Sequence, residues 1–150
     1  MKLKVEVQID GNKEDIWKVI TDIENSPSNI KGIEKLEILN KPENTLVGLK
    51  WIETRTLFGK TATETMWITE AVENKFYKTR AESHGAIYIS ILQISETNNE
   101  IFLSMEFSSQ AQTFGAKLLS VIFGFMFKSA TQKVLSQDLS DIKEAVESNS

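Results

Sequence analysis

Three charged residues in the segment WIETRTLFGKTATETMWIT are the strongest candidates for chemistry: Glu53, Arg55 and Glu64. A two-residue turn at Phe58 and Gly59 pairs Leu57 with Lys60, Arg55 with Ala62, Glu53 with Glu64 and Trp51 with Met66. Those side chains then share one sheet face. The opposite face carries Thr54 with Thr63, Thr56 with Thr61 and Ile52 with Thr65, a threonine-rich set suited to solvent. Two carboxylates directly across from each other repel, and Arg55, one diagonal step from Glu64, is placed to neutralise one of them. Three roles fit such a cluster. It can orient the polar end of an apolar ligand. One glutamate, Glu53 or Glu64, can act as the general acid or base that a cyclisation or dehydration needs. Or the three can form an ion-pair network that closes the mouth of a pocket. A register slip of one residue would instead turn all three into solvent.

Other catalytic arrangements have little support. His84 is the only histidine and sits in SHG, a turn-forming string, so an imidazole-rich metal site is excluded. The absence of cysteine excludes disulfides, thiolate metal sites and a cysteine nucleophile. Neither a glycine-rich phosphate loop nor a nucleophile-elbow setting for serine occurs. No cofactor and no metal are expected. A net charge of -4 offers no global basic field, so nucleic acid is not an expected partner.

The elements that must position the cluster follow from periodicity. LKVEVQI alternates apolar and polar residues and predicts a first strand. Asn12 is a candidate N-cap for a helix over KEDIWKVITDI, with Ile16, Trp17, Ile20 and Ile23 on its apolar face and Pro27 breaking it. From Ile33 to about Ser109 the period is two. Six strands are expected: Ile33–Asn40, Val47–Thr56, Lys60–Ala71, Phe76–Ser83, Ala86–Ser95 and Glu100–Ser108. Short breaks at KPEN, LFG, EN, HG and ETNN imply an antiparallel meander. Inward positions are assigned to Trp51, Met66 and Ile68, to Tyr77, to Ile87, Ile89 and Ile91, and to Ile101, Leu103, Met105 and Phe107. Met66, Met105 and Met126 would give an adaptable wall.

The remainder, from about Gln112 to Ser148, predicts one long helix. Its first part, FGAKLLSVIFGFMF, holds a single charge, Lys117. It is shorter than the roughly 20 apolar residues that span a bilayer, yet too apolar for an ordinary surface helix. Thr113, Lys117, Ser120, Gly124, Lys128 and Thr131 fall in one narrow arc, whereas Leu135, Leu139, Ile142 and Val146 later occupy that same arc. That change of side predicts a bend between Gly124 and Thr131 or a first half enclosed by more than the sheet. The whole is a single α+β domain over residues 1–150, with one helix against a sheet face.

This layout, with the strings DIWKVITDIENSP, VGLKWIETRTLFGKTATETMWITEAV and FGAKLLSVIFGFMFKSATQKVLSQDLSDIKEAV, resembles the START-like superfamily of helix-grip domains. The resemblance is to its polyketide cyclase/dehydrase and lipid-transport group in particular, and it spans nearly the whole chain. It implies a curved sheet wrapped around the long helix with an apolar cavity between them, roofed by Phe114, Leu118 and Ile122. The expected function is binding or transport of a small hydrophobic ligand, a lipid, polyketide or isoprenoid-like compound, with cyclase or dehydratase chemistry and a protein-interaction module as alternatives. Expected surroundings are the cytoplasm, a monomer or homodimer, and no transmembrane segment. Peripheral contact with a membrane stays open, although the polar stripe is poor in lysine for an interfacial helix.

Overall fold

The computed structural model describes residues 1–57, 59–83, 85–111 and 113–149, without the side chains of residues 57 and 114–127. Strand β1 (Lys2–Ile9) is followed by helix α1 (Lys13–Thr21), a single 3₁₀ turn at Ile23–Asn25 and a short helix α2 (Ser26–Asn29). Six strands follow: β2 (Ile33–Asn40), β3 (Lys50–Leu57), β4 (Lys60–Val72), β5 (Phe76–Ser83), β6 (Ala86–Thr97) and β7 (Glu100–Ala111). Helix α3 (Phe114–Ser148) ends the chain. The seven strands form one antiparallel sheet in the order β1-β7-β6-β5-β4-β3-β2, so the meander from β2 to β7 is completed by β1 alongside β7.

Local chemistry explains the joints. The Asn12 side chain accepts a hydrogen bond from the Asp15 amide at 2.7 Å and caps α1, leaving Ile16 and Ile20 buried. Pro27 lies in the first turn of α2, where its missing N–H costs no helical hydrogen bond. Asn74, Asn98 and Asn99 adopt positive φ in the turns after β4 and β6, a conformation asparagine tolerates better than most residues. Strand β3 begins at Lys50 rather than Val47, because Gly48 at φ 95 turns the chain and its amide bonds the Ile68 carbonyl.

The observed pairing of β3 with β4 has Trp51 opposite Met66, Glu53 opposite Glu64 and Arg55 opposite Ala62. On the other face Thr54 and Thr63 hydroxyls lie 3.3 Å apart. In β6 the inward face differs from the sequence expectation. Register sets Tyr88 across from Ser109, Ser90 across from Phe107 and Leu92 across from Met105. Directly paired residues share a face, so Tyr88, Ser90 and Leu92 point inward with Met105 and Phe107, and Ile87, Ile89 and Ile91 take the opposite face.

Helix α3 packs on β1, β7, α1 and α2. Leu135, Leu139, Ile142 and Val146 form its buried stripe against Leu3, Val5, Ile16, Ile20, Leu92 and Leu103. A second cluster of Ile23, Leu49, Trp51 and Ile68 fills the other end of the sheet. The expected change of side, the bend near Gly124 and the roofing residues Phe114, Leu118 and Ile122 rest on side chains outside the described set, as do Met126 and the turn residues Phe58 and His84. No helix among the described residues is long and apolar enough to cross a membrane.

Candidate functional site

The inner sheet face, the α1–α2 segment and the second half of α3 line a partly open pocket of about 380 Å³. From the sheet come Trp51, Glu53, Arg55, Glu64 and Met66 on β3 and β4, Tyr77 on β5, and Met105 and Phe107 on β7, all singled out in the sequence. Ile68 and Ile89 do not line it. Ile68 is 1% exposed and belongs to the cluster with Ile23, Leu49 and Trp51. Ile89 lies on the opposite face, a consequence of the β6 register. The wall also contains Tyr88, Ser90 and Leu92 on β6, which the sequence assigned to the other face, Thr79 and Ala81 on β5, which alternate with Tyr77, and Ile20, Ile23 and Ile30 from the helical segment.

The polar part of the wall centres on Arg55. Its Nε donates to Glu53 Oε2 at 2.7 Å, two residues earlier on the same strand. Its two terminal nitrogens donate to Asp138 on α3, at 3.1 Å to Oδ1 and 2.8 Å to Oδ2. The sequence reading paired Arg55 with Glu64; the observed partners are Glu53 and Asp138. Alternation along β3 puts residues 53 and 55 on one face, and the α3 stripe brings Asp138 over them. The two planar oxygens of the Asp138 carboxylate match the guanidinium fork. Trp51 Nε1 donates to the other Glu53 oxygen at 3.4 Å. Gly32 lets the guanidinium lie against the backbone: a Cβ there would sit 3.0 Å from an Arg55 terminal nitrogen.

Burial works against both charges of this pair. It lowers the affinity of Arg55 for its proton, but the hydrogen bond to Asp138 and the charge of Glu53 outweigh it and hold the guanidinium charged. Burial pushes the Asp138 carboxyl above its ordinary value, with Arg55 pulling it back. Asp141, one turn on, is 3% exposed and accepts the Lys31 amide at 3.0 Å and the Gln137 side chain at 2.9 Å.

Two tyrosines complete the wall. The Tyr77 hydroxyl donates to the Ile20 carbonyl at 3.0 Å, tying β5 to the end of α1, and its ring meets Trp17 edge-on at 6.2 Å. Burial, then the Glu53 charge, keep that hydroxyl protonated well beyond its usual range. Tyr88 stacks on Phe107 at 6.0 Å. Burial and the nearby Glu64 charge raise its hydroxyl as well. No group of three or more His, Asp or Glu suited to a metal ion occurs among the described residues.

No protein-family model matches the chain, and no curated protein matches it in sequence. Solved structures do match in three dimensions. A protein of Thermus thermophilus has a TM-score of 0.82 at 12% identity, covering 100% of this chain and 99% of the other. A START superfamily protein from Mycobacterium smegmatis has a TM-score of 0.80 at 14% identity, covering 99% of each chain. The Zhui aromatase/cyclase from a Streptomyces species has a TM-score of 0.78 at 14% identity, covering 98% of this chain and 93% of the other. Agreement over whole chains at such low identity rests on the shared path of the backbone: this chain has the START-like helix-grip fold, a seven-stranded antiparallel sheet with short helices after its first strand and a long C-terminal helix.

Proposed function

We propose that the protein binds and carries a small hydrophobic ligand, of the lipid, polyketide or isoprenoid-like kind, in an internal cavity between the sheet and α3. The observation that carries this is the apolar pocket of about 380 Å³. Its size falls in the range of roughly 300–1,000 Å³ usual for small-molecule sites. Ile20, Ile23, Met66, Leu92, Met105 and Phe107 are among its apolar lining residues. Affinity comes from removing ligand surface from water, at about 25 cal/mol per Å² of apolar area. Unbranched methionines at 66 and 105 accommodate varied ligand shapes. Glu53, Arg55 and Asp138 orient the polar end of the ligand. The likeness of the fold to a START superfamily protein and to an aromatase/cyclase supports the same reading.

Acid–base catalysis of the cyclase or dehydratase type is the alternative, favoured by the facing pair Glu53 and Glu64 in the pocket wall. Glu53 accepts hydrogen bonds from Arg55 and Trp51, which suits a fixed anion better than a proton carrier. Native mass spectrometry of protein purified from its own source tests the carrier. An apolar adduct, released by organic solvent and identified, is expected. A bare protein mass that no apolar compound shifts would contradict it. Loss of turnover with unchanged binding in Glu64→Gln would establish the enzyme instead.

A further inference from the structure

The proposed function leaves the polar end of the ligand undefined, and the charges on the pocket wall restrict it; the inference here rests on that proposal. Among the described residues the wall carries three carboxylates, Glu53, Glu64 and Asp138, and one cation, Arg55. Arg55 is shared between two of them, through Nε to Glu53 and through both terminal nitrogens to Asp138. Both Asp138 oxygens accept from the guanidinium, an arrangement that suits the ionised carboxylate. One cation between two anions leaves this triad with one net negative charge. The side chains are only 12%, 16% and 6% exposed for Glu53, Arg55 and Asp138, so water screens that charge poorly.

Among the described residues of the wall, an incoming carboxylate or phosphate finds a cationic partner only by breaking into the Arg55 fork. That would leave Glu53 or Asp138 buried without its partner, a costly state. A hydroxyl or ammonium meets the opposite situation. Each oxygen of Glu53 and Asp138 has lone-pair capacity beyond the hydrogen bond it accepts from Arg55 or Trp51, so a donor added there does not have to displace Arg55. Trp51, Tyr88 and Phe107 line the same pocket. Their ring faces carry negative potential and attract cations. The net charge of -4 on the whole chain acts in the same direction at long range.

We infer that the pocket selects by charge: it takes an apolar ligand whose polar end is an uncharged or cationic hydrogen-bond donor, an alcohol, phenol or amine, and rejects a carboxylate or phosphate on the same apolar body. Three ligands sharing one chain, decylamine, decan-1-ol and decanoic acid, test this by calorimetric titration of the full chain near pH 7.5, where the amine is charged and the acid ionised. The alcohol and amine should bind, and the acid should bind at least roughly tenfold more weakly. Glu53→Gln, which removes the net charge and leaves the Asp138 fork, should narrow that gap; Asp138→Asn gives the same readout if Glu53→Gln does not fold. Acid binding as tight as the alcohol, or a gap unchanged in a folded variant, would overturn the inference while leaving the carrier intact. If none of the three binds, the carrier itself falls and the charge selection with it.

Discussion

Arg55 on β3 grips both carboxylate oxygens of Asp138 on α3, 83 residues further along the chain. This contact fastens the long helix to the far strands of the sheet, in the wall of the apolar pocket. The pair joins helix and sheet and, under the proposed function, also shapes what the pocket can recognise.

Removing one partner should therefore be costly. Asp138→Ala leaves a buried guanidinium with Glu53 alone and is expected to destabilise the protein by about 3 kcal/mol in urea unfolding. Combining it with Arg55→Met should cost less than the sum of the two single changes, the signature of a coupled pair. Strict additivity would show that the fork contributes nothing as a pair.

The face assigned to β6 predicts unequal responses to truncation. Leu92, 4% exposed in the main cluster, should lose roughly 2–5 kcal/mol on replacement by alanine. Ile89 on the convex face should lose less than about 1 kcal/mol. Equal losses in denaturant titrations would mean that the strand register is shifted.

This contrast shows where the sequence was legible. In WIETRTLFGKTATETMWIT, threonines on one face and a tryptophan and methionine on the other differ enough to set the register. In AIYISILQI both faces are apolar, so alternation carries no direction and the long-range pairing with β7 decides. The strand order was readable because Asn and Gly mark the turns at 74, 85, 98 and 99 with positive φ. Asp138 was not, because its partner is fixed only when helix and sheet meet. Half of α3 followed from its stripe, Leu135, Leu139, Ile142 and Val146.

Tyr77 offers a test of how the sheet holds the helical segment. Tyr77→Phe deletes the hydrogen bond to the Ile20 carbonyl and should cost about 1 kcal/mol. Amide exchange should quicken in α1 more than in β5. Uniform acceleration through both would place the effect in global stability alone.

Acid stability should depend on Glu147. The Asp10 amide, at 2.8 Å, and then Lys143 hold its carboxyl below the ordinary value. A carboxyl whose pKa is lower folded than unfolded adds stability above its unfolded value, and this contribution is lost as pH falls through the folded one. Glu147→Gln should thus destabilise at neutral pH and converge on the parent as the medium becomes strongly acidic. A stability difference that is constant across that range would contradict the assignment.

The most direct test fills the pocket. Titration with the neutral fluorescent probe N-phenyl-1-naphthylamine should show saturable binding of one molecule to the parent chain. Ser90→Phe, which projects a ring from β6 into the pocket, should abolish that binding while far-UV circular dichroism stays unchanged. A parent chain that never binds the probe, or a filled variant that binds it as tightly as the parent, would show that the space between sheet and helix is not a ligand site.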